Sequence, residues 1–169
     1  MIDRFGGETA GLENKHALVH QGKLVSGLIE KAALADTGTF DIHLKAGTKT
    51  LHLTDLIVSV TGTAKISIIT GATVTGVPSG AFTPVNRNLI APQAVGAVVK
   101  FGTATYTGGT LTDLSKIFVA SGNPQTVNQN RVAGDIEWLA GAGADVIFRV
   151  TNQSGGAINI AAELFYYER

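Results

Sequence analysis

The chain of 169 residues is 44% hydrophobic but only 15% charged, against roughly 25% in ordinary globular domains, and its 13 basic residues cancel its 13 acidic ones. Zero net charge, with no run of four Lys or Arg, excludes an electrostatic footprint for nucleic acid or an anionic membrane; the lack of Cys excludes disulfide scaffolds, thiolate metal sites and thiol nucleophiles. The place of charge is taken by 21 Gly and abundant Thr, a mixture that favours turns and pleated strands over long surface helices and suits a protein that lives assembled, because it gives little protection against self-association.

Residues 1–16 mix Gly, Thr and alternating charge without a period and read as a flexible arm, with too little apolar surface to fold alone. The stretch from Met1 to Glu8 has no apolar segment of a secretory signal, and nowhere do ~20 apolar residues run together. The expectation is a soluble chain made in the cytoplasm, with residues 17–169 forming one domain. Leu24, Leu28 and Ala32 fit a helical stripe, but Gly27 weakens a helix by about 1 kcal/mol, so the first half of 24–34 is expected as a strand. From Phe40 the period is two. Phe40, Ile42 and Leu44 alternate with Asp41, His43 and Lys45, and Leu51 and Leu53 alternate with His52 and Thr54. A two-residue Gly47-Thr48 loop suits a type II′ hairpin, in a register that sets Leu44 opposite Leu51, Ile42 opposite Leu53, and His43 opposite His52.

Further strand-like runs cover 55–60, 64–70, 97–105, 115–120, 135–139, 145–152 and 157–166. Turn signals separate them, among them Pro78-Ser79-Gly80, Gly108-Gly109 and Gly155-Gly156. In the last run Ile158, Ile160, Ala162, Leu164 and Tyr166 share a face. Short strands at this spacing predict an all-β sandwich or barrel.

No catalytic constellation emerges from these runs. His43 and His52, cross-strand in the hairpin register, have only Asp41 as a neighbouring ligand, and two or three groups do not close a structural zinc site. His16 and His20 would need a helix to share a face, which Gln21-Gly22 and the β-like sequel argue against. No Ser stands in a Gly-x-Ser-x-Gly elbow; Ser26-Gly27, Ser79-Gly80 and Ser121-Gly122 are turn or bulge chemistry. Glu30, Asp36 and Glu137 cannot be brought together as a carboxylate pair. Ala140-Gly141-Ala142-Gly143-Ala144-Asp145 lacks the Lys-Ser/Thr and the helix of a phosphate loop and reads as a hairpin connection. Asn152-Gln153-Ser154 reads as a turn. Tyr166 and Tyr167 are consecutive in a strand, so one points inward and one outward, and the outward side of that strand, with Phe165 and Tyr167, is expected to meet a neighbouring subunit. No enzyme activity, metal or cofactor is expected.

The segment Asp145-Val146-Ile147-Phe148-Arg149-Val150-Thr151-Asn152-Gln153-Ser154, with Ile158-Asn159-Ile160 and Leu164-Phe165-Tyr166-Tyr167-Glu168, resembles the end of a family of tailed-phage virion proteins. Leu44 to Leu53 resembles a hairpin of that family, and Asn86-Arg87-Asn88 resembles a motif that follows a glycine-containing turn in it; the likeness runs over about residues 17–168. The resemblance implies a jelly-roll β-sandwich with an extended N-terminal arm, acting as a capsid decoration (cement) protein on the virion surface. It implies homotrimers over local three-fold positions of the major capsid protein lattice. Ile2, Phe5 and Leu12, isolated apolar residues among polar spacers, are then expected to anchor the arm on the capsid. A receptor- or glycan-binding jelly-roll module of a phage head or tail fibre is the alternative. A cupin-type metalloenzyme would need several His and a Glu converging inside the barrel.

Overall fold

Strict alternation of apolar and polar residues builds two antiparallel sheets that bury their apolar faces against each other. The computed structural model of the chain describes residues 16–118, 128–133 and 138–169. A single helical turn over 16–20 precedes β1 (Val25–Leu34), β2 (Thr39–Lys45), β3 (Leu51–Val60), β4 (Ala64–Gly76), β5 (Gly80–Ala81), β6 (Val85–Asn86), β7 (Val98–Gly102), β8 (Thr105–Ile117), β9 (Asn128–Ala133), β10 (Trp138–Ala140), β11 (Asp145–Asn152) and β12 (Ile158–Glu168). One sheet has the order β10-β3-β12-β1-β6, with β9 also on β3, and the other β5-β7-β2-β11-β4-β8. The expected all-β sandwich is therefore the observed architecture.

The core lies between the sheets. Ile29, Leu56, Val58, Ile160, Ala162, Leu164 and Tyr166 fill it from the first sheet, and Phe40, Ile42, Leu44, Ile66, Phe148 and Val150 from the second. Each large side chain so buried stabilises the fold by about 1.5–3 kcal/mol relative to exposure. The shared face expected for Ile158, Ile160, Ala162, Leu164 and Tyr166 is found, all five being buried.

Several expectations are corrected. The strand expected in the first half of 24–34 extends through Leu34. The hairpin between Leu44 and Leu51 does not exist: β2 pairs with β11 and β7 in one sheet, while β3 pairs with β12, β10 and β9 in the other. Leu44 and Leu51 do share an apolar environment, but across the sandwich rather than across a ladder, so the matching periodicity carried no information on pairing. Likewise Gly141-Ala142-Gly143 is a turn, with Ala144 N–H donating to Gly141 C=O at 2.9 Å, but it carries the chain from one sheet to the other instead of closing a hairpin.

The run read as two pieces, 51–54 and 55–60, is one strand with a bulge. Leu51 and Leu53 face the core, and so do Leu56, Val58 and Val60. A step of three between Leu53 and Leu56 breaks the period of two, and the β3–β12 register shifts between Phe165 and Tyr166 to accommodate it. Thr54, the extra residue, donates its hydroxyl to Phe165 C=O at 3.0 Å.

Two polar clusters fasten the loops. Asn152, fully buried, donates from Nδ2 to the carbonyls of Leu34, Ala35 and Gly156 and accepts from Ser154 N–H at Oδ1; the expected turn is thus built on the side chain of its first residue. Glu168, at the other end of the sandwich, accepts from Gly47 N–H at 3.1 Å and Gly96 N–H at 2.5 Å, tying two loops to the end of β12.

Candidate interaction surface

The residues of β1, β12 and β3 that alternate away from the core form the outer face of the first sheet, and their register fixes who sits beside whom. Leu28, Glu163 and Ile57 stand in one row, Ser26, Phe165 and Asp55 in the next, and Glu30, Ala161 and Ser59 in a third. Val85 of β6 extends the second row beside Ser26. Among these, Leu28 is 59% exposed and Val85 50%, while Ile57, Ala161 and Phe165 are half-buried. Arg87 lies over this apolar ground, its guanidinium 5.0 Å from the centre of the Phe165 ring and 3.5 Å from Glu163 Oε1. An exposed apolar stripe crossed by an aromatic-stacked Arg has the composition of a protein–protein contact.

The Arg87 segment is held rigidly. Asn86 Nδ2 donates to Gly22 C=O at 2.6 Å and to Gln93 C=O at 3.2 Å, and its Oδ1 accepts from Asn88 N–H. Asn88 Oδ1 in turn accepts from the N–H groups of Ile90 and Ala91, and its Nδ2 donates to His20 C=O. Asn86-Arg87-Asn88 therefore presents Arg87 from a loop whose backbone is satisfied by its own side chains. Leu89 and Ile90 at its tip are 83% and 97% exposed, and sequence reasoning did not single them out.

Of the residues expected at a subunit interface, Phe165 lies on this face. Tyr167 is also outward, but it is only 9% exposed, because its ring stacks on His52 with centroids 4.4 Å apart. Most of its surface is thus covered within the chain. Ile2, Phe5 and Leu12, expected to anchor the arm, lie outside the described residues.

The histidines regroup completely. His43 and His52 stand in different sheets and are not neighbours. His43 is buried, with Nε2 at 2.7 Å from Asp145 Oδ1. Asp41 turns to Arg149 instead of a metal. His16 and His20, against expectation, do share a helical face, their Nε2 atoms 2.9 Å apart; the carbonyls of the turn are capped by the N–H groups of Gln21, Gly22 and Lys23, so Gly22, with φ +69°, ends the helix instead of preventing it. Among the described residues no group of three or more His, Asp or Glu side chains is placed to hold a metal. Trp138 is half-buried, edge-on to Phe148, and presents no open aromatic platform.

Neither a protein-family model nor a curated protein matches this chain.

Proposed function

We propose that this chain is a virion structural protein of a tailed phage: a capsid decoration protein with a jelly-roll fold that assembles as a trimer over local three-fold positions of the major capsid protein lattice. The jelly-roll reading is supported by the strand order, since β1, β12, β3 and β10 lie side by side in one sheet and β2, β11, β4 and β8 in the other, with the chain passing repeatedly between them. The observation that carries the functional reading is the outer face of the first sheet. Its apolar patch of Val85, Leu28, Ile57 and Phe165, drawn from two adjacent rows and crossed by Arg87, gives a lattice-bound protein a surface to cover, whereas a secreted binding module of low charge would leave it in water. Trimerisation multiplies weak single contacts through effective concentration. In this reading residues 1–16, with Ile2, Phe5 and Leu12, reach the capsid, and Phe165 belongs to the contact between subunits.

The test is decoration of capsids that lack the protein, followed by electron microscopy of particles with and without it. Density at local three-fold positions, and weaker retention after deletion of residues 2–14, is the expected result. Binding to a host glycan without binding to capsids would transfer the chain to the fibre-module reading.

A further inference from the structure

We infer that His16 and His20 form a two-nitrogen chelate for a divalent transition metal of tetragonal preference, Cu2+ or Ni2+. The observation is geometric. The two Nε2 atoms are 2.9 Å apart, the ring centroids 4.4 Å apart, and the rings nearly perpendicular at 78°. Two imidazoles sharing a linear hydrogen bond at that separation would hold their centroids roughly 5 Å apart, since donor and acceptor axes then point at each other. Two imidazoles whose lone pairs meet at a right angle on one ion, about 2.0–2.1 Å from each nitrogen, place the nitrogens ~2.9 Å and the centroids ~4.5 Å apart. The two rings share a hydrogen bond as they stand, and the pair of distances matches the second arrangement, so an ion can replace the shared proton with little movement of either ring. A tetrahedral ion opens the nitrogen–nitrogen distance to roughly 3.3–3.4 Å and fits less well.

The chelate is also fixed in place. Spacing of four residues on one helical turn puts both rings on one face. The turn is closed by N–H groups of residues 21–23 and tied to the body by Asn88 Nδ2 donating to His20 C=O at 3.0 Å. Gly22 passes so close to Ala91 C=O that no Cβ fits between them, which holds the turn against the 87–93 loop. Both imidazoles are exposed, so the remaining coordination positions are open to water or to a ligand from another molecule.

The experiment is titration of Cu2+ into the tag-free, metal-free full chain by calorimetry, with electron paramagnetic resonance of the complex. One Cu2+ per chain with two imidazole nitrogens in its plane is expected. His16→Ala and His20→Ala should each weaken binding at least tenfold and leave a single imidazole, while His52→Ala leaves affinity unchanged. Both substituted positions are at the surface, and circular dichroism of each variant checks the fold. Absence of binding at millimolar Cu2+, or one-to-one binding that neither His16→Ala nor His20→Ala alters, overturns the assignment.

Discussion

Asp41 and Arg149 stand opposite each other in the β2–β11 ladder, and the guanidinium donates twice to the carboxylate, from Nε at 2.7 Å and from Nη2 at 2.8 Å. The carboxylate is fully buried and accepts a third bond from Ala104 N–H. Asp41, and less strongly the Tyr106 hydroxyl, raise the already high pKa of Arg149 further, so the guanidinium stays charged. The second sheet thus carries a bidentate ion pair on the face turned away from the core, where the chain segment around Ala104 and Tyr106 lies over it.

Removing one partner exposes the cost of the other. Arg149→Met keeps an apolar stem but leaves a buried carboxylate with Ala104 N–H as its one donor among the described residues. The expected loss is about 3–5 kcal/mol, read as a lower midpoint in urea at neutral pH. A variant within 1 kcal/mol of the parent, an approximate threshold well below that range, would mean that water reaches Asp41.

Asn152 yields a prediction of order. Its Nδ2 serves the carbonyls of Leu34, Ala35 and Gly156, so Asn152→Asp, nearly the same shape, turns a carboxylate oxygen toward three acceptors. It should destabilise more than Asn152→Ala, which itself costs about 2–4 kcal/mol through unsatisfied carbonyls. Thermal melts of the two variants decide the order.

Tyr166 sets an alkaline limit. Burial, with the nearby Glu168 charge adding to it, pushes its phenol from 10.0 up to about 12. A pKa raised by folding favours the protonated form in the native state. Its contribution is therefore complete below pH 10 and is lost as pH climbs toward 12, roughly 2–3 kcal/mol in all. Tyr166→Phe should lack this fall, so the gap between parent and variant in urea midpoint should change between pH 9 and 11.5. An unchanged gap would place the alkaline loss in another group.

The outer face of the first sheet predicts assembly. The parent should run as a trimer in light scattering at micromolar concentration, and the pair Leu28→Glu with Val85→Lys should yield a monomer. Exposed positions of this kind change the stability of the single chain by about 0.5 kcal/mol at most, so melting of the monomer itself should hardly move. A parent that is already monomeric removes the trimer from the proposed function.

Local periodicity made much of this fold legible, and pairing did not. The runs at 145–152 and 157–166 lie on β11 and β12 because strict alternation on a half-buried sheet has one physical solution. Periodicity pairs the sequence neighbours β2 and β3, which stand in different sheets, because Gly47-Thr48 is as compatible with a crossing between sheets as with a hairpin. The bulge at Thr54 was visible only as a missed beat between Leu53 and Leu56. The shared face of His16 and His20 is hidden in the sequence because the β-like residues after Gly22 outweigh the single turn before it. The apolar face was half legible: Phe165 was expected there, whereas Leu28, Val85 and Arg87 come together only once β1, β6 and β12 are placed side by side.

The position of β12 bears on how the chain is made. It is synthesised after the other eleven strands of the described residues, yet it lies between β1 and β3 and bonds to both. On a translating ribosome β1 has only the short β6 beside it, at Val25 and Ser26, until residues near 158–166 emerge, so the centre of the first sheet stays open until then. Chains interrupted before β12 would expose the inner face of β1 and β3 together, a surface that holding chaperones recognise.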